Sequence, residues 1–199
     1  FASLLLLLLA ASVSASANGR LLVIGDSLSA AYGIAPEQGW VRLLQQRLQE
    51  QGKDYRVINA SITGDTTHGG LTRLPEALKT HQPDIVIIEL GGNDGLRGFD
   101  LQRMRDNLQQ MVRQSHEAGA RVLLLGVRLP ANYGKTYGER FQAVFREVAA
   151  TEEAPLVPAF MLGVAEHLDM MQADGIHPGK QAQPRLLENV WSELAPVLD

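Results

Sequence analysis

An α/β fold, with a parallel sheet covered by helices on both faces, is the architecture this sequence predicts, and three observations point to it. Short β-rich runs alternate with longer segments of helical apolar spacing, the order that builds such a sheet. The 199 residues, 45% of them hydrophobic, suffice for one good core and are short for two. After residue 18 there is no internal repeat, no low-complexity linker and no shift of composition, which favours a single three-layer α/β/α domain over residues 18–199.

Before that domain, Leu4 to Leu9 are consecutive leucines, and Ala10 to Ala17 is a stretch of mostly small residues. Together they read as the apolar region and Ala-x-Ala cleavage site of a signal peptide over residues 1–17, with Asn18 as the mature start. The run falls short of the roughly 20 apolar residues that span a bilayer. Neither Met nor a basic segment precedes Phe1, so the leader reads as clipped at its start. The expected location is periplasmic or secreted.

Five candidate strands follow: Leu21–Ile24, Tyr55–Asn59, Ile85–Leu90, Val122–Val127 and the short Leu156–Val157. Between them, Trp40, Leu43, Leu44 and Leu48 recur at helical spacing, as do Leu101, Met104, Leu108, Met111 and Val112. Leu71 to Leu78 reads as a helix start with Pro75 near its first turn. A last helical pattern, with Leu186, Leu187, Val190 and Leu194 on one side, closes the sheet.

There is no cysteine, which removes thiol nucleophiles, thiolate metal sites and disulfides even for an exported chain. The formal charge of -4 lies wholly after residue 17, and without a long basic run the chain makes a poor nucleic-acid binder.

In open α/β sheets, ligands bind beyond the carboxyl ends of the strands. Four segments fall there: Gly25-Asp26-Ser27, Ser61 to Asp65, Gly91-Gly92-Asn93-Asp94 and Arg128 to Gly134. Far downstream stands Asp174-Gly175-Ile176-His177-Pro178. A serine hydroxyl is a weak nucleophile that needs an imidazole to take its proton and a carboxylate to orient the imidazole. Ser27, His177 and Asp174 supply those three groups. Acyl transfer also needs donors where negative charge develops, and the Ser27 N–H, the Gly64 N–H and the Asn93 amide are candidates.

Ser27 alone would read as a helix cap, but a cap does not require distant partners. Asp26, Asp65 and Asp94 read as turn or capping residues. No third ligand accompanies Asp174 and His177 to make a metal site. His68, His81, His116 and His167 have no partner pattern, and only His68 is near Gly64 in sequence.

Gly25 to Ser29, Gly64, Gly91 to Asp94 and the Asp174-x-x-His177 pair resemble, in order, the four sequence blocks of the SGNH, or GDSL, hydrolase family, across nearly all of residues 18–199. The resemblance implies a flavodoxin-like sheet and a serine esterase, with Ser27 as nucleophile, His177 as base, Asp174 as its orienter, and Ser27, Gly64 and Asn93 around the oxyanion. It implies acyl thioesters, lysophospholipids and simple esters as substrates, with no metal, organic cofactor or obligate protein partner. It also implies that residues 74–80 border the cleft, so Leu74 and Pro75 are candidate substrate contacts. Ile176 is another such candidate. Arg128, Asn132 and Tyr133 either shape the acyl pocket or stabilise their loop.

Two alternatives stand beside this reading. A carbohydrate O-acetyl esterase would use the same constellation, but aromatics are only 6% of the chain and none cluster at the blocks, which argues against sugar stacking. A non-catalytic lipid carrier would not need the full set of residues, and a phosphate-binding module would want a GxGxxG turn or P-loop lysine that is absent after Ile24.

Overall fold

The computed structural model describes residues 19–198, so the expected leader and its cleavage site lie outside the described residues. In chain order the elements are β1 (Gly19–Gly25), α1 (Trp40–Glu50), β2 (Tyr55–Asn59), α2 (Thr67–His81), β3 (Ile85–Glu89), α3 (Gly92–Leu96), α4 (Leu101–Glu117), β4 (Arg121–Leu125), α5 (Lys135–Thr151), β5 (Leu156–Val157) and α6 (Gln183–Leu194).

All five strands pair in parallel, in the order β2-β1-β3-β4-β5. This is the flavodoxin-like order, and its crevice falls where the chain direction of winding reverses, between β1 and β3. Leu21 to Ile24 and Ile85 to Ile88 have no solvent exposure, as central strands covered on both faces require. Full burial of such aliphatic side chains contributes about 1.5–3 kcal/mol each.

The helices fall into two packed groups, α1 with α6 and α2 with α4 and α5. Trp40 meets Phe160 edge-on, and its backbone N–H donates to Gln183 Oε1 at 2.9 Å, joining the starts of α1 and α6. Phe141 and Phe145 of α5 pack in the same T-shaped manner at 5.4 Å.

The structure corrects several details of the sequence reading. β3 stops at Glu89 and β4 at Leu125, short of Leu90 and Val127, while β1 is longer than the apolar run that marked it. α5 carries Phe141, Val144, Phe145 and Val148 on its buried face, a helical pattern that the sequence reading did not identify. α2 begins well before Pro75, because Thr66 accepts from the Gly69 N–H at 3.2 Å and caps the helix there. Pro75 is therefore inside the helix, on its exposed side, where the carbonyl left without a donor can meet water.

That earlier start sets the direction of residues 74–80. Thr67, at the head of α2, is tied to Asp94 beyond β3, whereas Thr80 and His81 line a groove with Arg20 and Tyr55 at the amino ends of β1 and β2. The segment thus runs away from the strands' carboxyl ends. Leu74 has no exposed surface and packs in the core, so it does not face the cleft as expected, while Pro75 lies on the exposed side of the helix.

Candidate active site

β1 ends at Gly25, and the chain turns at once through Asp26, Ser27 and Leu28. Asp26 Oδ1 accepts from the Leu28 N–H at 3.0 Å, which closes the turn. Ser27 is 8% exposed at its apex. Its Oγ lies 2.9 Å from His177 Nε2, and His177 Nδ1 lies 2.6 Å from Asp174 Oδ2. The structure therefore brings together three side chains separated by up to 150 residues in sequence.

Asp174 is held as firmly as it holds. Its Oδ1 accepts from the backbone N–H groups of Ile176 at 2.9 Å and His177 at 3.0 Å, so the turn that presents the imidazole is folded around the carboxylate. Those bonds, the His177 N–H first and the imidazole next, lower the Asp174 pKa to about 2. It stays ionised at any neutral or mildly acidic pH.

Two residues that sequence reasoning missed lock this turn in place. The Gln172 N–H donates to the His177 carbonyl at 2.8 Å, and its side-chain amide donates to the carbonyls of Tyr32, at 2.7 Å, and Pro178, at 3.1 Å. The Tyr32 ring packs tilted on the imidazole, with centroids 4.5 Å apart. Gly33, at φ +74°, lies so close to Gln172 that a Cβ there would fall 2.1 Å from Oε1.

Asn93 enters from β3 through a backbone only glycine accommodates well. Gly91 has φ 113°, and a Cβ on it would meet Met104 Cε at 2.5 Å. α3 then carries Asn93, whose Nδ2 donates to Asp26 Oδ2 at 3.0 Å. The second hydrogen of that amide remains for a ligand. Gly64, at φ 78°, lies in the turn after β2, where Arg97 Nη2 donates to its carbonyl at 3.1 Å. Among the described residues, the N–H groups of Ser27 and Gly64 make no backbone or side-chain hydrogen bond.

Arg73 is a further residue the sequence gave no reason to single out. Its guanidinium donates to Asp65 Oδ2 at 2.8 Å, to the Ala60 carbonyl, and to the Gly25 carbonyl at 3.3 Å, joining the loops after β1 and β2 from behind. Asp94 accepts from the Thr67 N–H and hydroxyl, so it caps α2 from across the cleft, and Asp65 accepts from the Thr66 N–H. Both have the structural role expected of them.

Of the other candidate contacts, Ile176 is 43% exposed beside His177, and Ile62, whose N–H donates to the Gly25 carbonyl at 3.0 Å, is 53% exposed beside the serine turn. Arg128 and Asn132 are exposed. The Tyr133 hydroxyl donates to the Leu96 carbonyl at 3.0 Å, which ties its loop to α3. Among the described residues there is no group of three His, Cys, Asp or Glu side chains able to hold a metal ion.

The fold and these residues define the class: an α/β/α hydrolase acting on ester bonds. The chain belongs to the GDSL-like lipase/acylhydrolase family, whose model matches residues 23–183. It is 56% identical over 183 residues to Esterase TesA of Pseudomonas aeruginosa, spanning 92% of this chain and 91% of that one. It is 44% identical over 185 residues to thioesterase 1/protease 1/lysophospholipase L1 of Escherichia coli K12, spanning 93% and 88%. A crystal structure of TesA aligns with a TM-score of 0.89 at 57% identity, covering 89% of this chain and 99% of that one.

Proposed function

We propose that the protein is a serine esterase that cleaves acyl esters and thioesters, lysophospholipids among them, through an acyl-enzyme on Ser27. The observation that carries the mechanism is the unbroken line from Ser27 Oγ through both nitrogens of His177 to Asp174. His177 takes the Ser27 proton as Oγ attacks the acyl carbonyl carbon. The N–H groups of Ser27 and Gly64 and the free amide hydrogen of Asn93 stabilise the oxyanion. The tetrahedral intermediate collapses as the imidazolium protonates the leaving alcohol or thiol. Water, deprotonated by the same imidazole, then attacks the acyl-enzyme and returns the carboxylic acid and free Ser27.

Exposed apolar side chains support an acyl chain as the group recognised. Tyr32, Ile62 and Ile176 stand 48%, 53% and 43% exposed on segments joined to the serine turn or the histidine turn. A hydrocarbon chain lying on them would cover surface that is otherwise wet. The similarity to a thioesterase and lysophospholipase points the same way. The leader-like composition of residues 1–17 supports export to the periplasm or the exterior, with residues 18–199 acting as one catalytic domain.

The test is hydrolysis of p-nitrophenyl esters from acetate to long acyl chains. We expect kcat/KM to rise from acetate to medium chains, each added methylene contributing up to about 0.8 kcal/mol where it is buried. Activity confined to acetate would instead favour an O-acetyl esterase.

A further inference from the structure

Glu89 ends a strand that is otherwise wholly apolar, and it is paired in register with Gly25, immediately before the serine turn. It has no solvent exposure. A carboxylate buried in this way costs several kcal/mol unless it is neutral or well paired. Among the described residues no Lys, Arg or His side chain donates to it; its Oε2 accepts from Ser29 Oγ at 2.7 Å and from the Asp26 N–H at 3.3 Å, while Oε1 receives nothing. The mechanism described above makes no use of it.

The neighbouring acid explains its state. Glu89 Oε2 takes the Asp26 N–H, so the two acids lie side by side, both buried, and two carboxylates so placed disfavour each other's charge. Asp26 has two donors of its own, the Leu28 N–H and the Asn93 amide, and so takes the charge. Burial without a cationic partner favours the neutral form of Glu89, and Oε1 is its oxygen without a partner.

We propose that Glu89 is a positioning residue of this site, a neutral acid that donates to Asp26 and so fixes the Asn93 amide with its second N–H aimed at the oxyanion. The inference rests on the esterase reading above. Through Ser29 the same carboxyl group also braces the turn that carries Ser27. Burial pushes Glu89 well above the ordinary carboxylic range and Asp26 up to about 6, in keeping with one shared charge. The other charged or titratable groups facing the pair are His177, which acts on Asp26, and Arg73, whose Nη2 donates to the Gly25 carbonyl.

The experiment measures kcat and KM on a medium-chain p-nitrophenyl ester for Glu89→Met, Glu89→Gln, Asn93→Ala and the Met/Ala double variant, with Ser27→Ala as the blank and circular dichroism to check folding. Met fills the space without donating or accepting, and we expect it to lower kcat about 10- to 100-fold with KM within about twofold, below the full loss of one oxyanion donor. Gln can donate and accept as the acid does, and should recover kcat to within about threefold of the wild type. Because Glu89 acts in part through Asn93 and in part through the Ser29 brace, the Met substitution should cost less once Asn93 is Ala, without becoming free. A folded Met variant with wild-type kcat, a Gln variant as slow as Met, or losses that multiply in full in the double variant would overturn the proposal. If Met prevents folding, the pH profile of Glu89→Gln decides. An amide cannot ionise, so the alkaline fall in kcat caused by a second charge beside Asp26 should be missing from the Gln variant, and coincident profiles overturn the proposal. Absence of any Ser27-dependent turnover in the wild type would overturn the esterase reading and this inference together.

Discussion

Replacing Ser27 with Ala should lower kcat on the order of a million-fold, the scale at which loss of a nucleophile or its base silences a serine hydrolase. The expectation follows from geometry rather than from the residue type alone. Ser27 Oγ is the atom 2.9 Å from His177 Nε2, and it sits at the carboxyl end of β1, next to the β1–β3 crevice. Ser29, two residues on, is buried with its hydroxyl spent on Glu89 and cannot substitute. His177→Ala should fall to the same level, and the double variant should be no worse than either single one, because the two side chains act as a unit. The measurement is single-turnover hydrolysis of a p-nitrophenyl ester, with thermal unfolding to show that each variant is folded. Removing the Ser27 hydroxyl should leave stability nearly unchanged.

The second large effect is expected at Asp174. Asp174→Asn preserves shape but offers an amide where the Nδ1–H of His177 now meets a carboxylate at 2.6 Å. The imidazole then loses its reason to hold the proton on Nδ1, and kcat should fall about 10,000-fold. The carboxylate also accepts the N–H groups of Ile176 and His177, bonds an Asn oxygen can keep, so the turn should stay folded. Its pKa of about 2 has a further consequence for the wild type. Any fall of activity between neutral pH and pH 4 reflects protonation elsewhere, because Asp174 remains charged throughout that range. The stability it contributes is present above its unfolded value of about 3.8 and is lost only as pH falls towards 2. A profile of kcat against pH for wild type and Asp174→Asn, read with unfolding curves at the same pH values, checks both points.

What the sequence revealed, and what it hid, follows from the range of the interactions. β1 and β3 were legible because central parallel strands bury both faces, and an uninterrupted apolar run is the direct consequence. The start of α2 was hidden because Pro75 is a stronger signal than Thr66, although Thr66 is the residue that caps the helix. α5 carries its own signal in Phe141, Val144, Phe145 and Val148 at helical spacing.

Ser27, Asn93 and the Asp174–His177 pair stand out in the chain because each is flanked by turn residues after a strand or in a loop. Their supports do not. Gln172 acts on a carbonyl 140 residues away, Arg73 on one 48 residues away and Glu89 on a hydroxyl 60 residues away. The sheet order, which sets β1 between β2 and β3, brings the partners of Arg73 and Glu89 into contact. Leu74 failed as a substrate contact for a related reason, since the true start of α2 turns that position into the core.

The central claim is that Ser27 carries the acyl group between the two halves of the reaction. The most direct measurement is rapid acid quenching of the protein during hydrolysis of a medium-chain p-nitrophenyl ester, followed by mass spectrometry of the intact chain and of its peptides. The account predicts one added acyl mass, located on Ser27, appearing within the first turnover and absent from Ser27→Ala. Steady turnover with the acyl group on another residue, or with none on the chain under conditions where deacylation limits the rate, would contradict it.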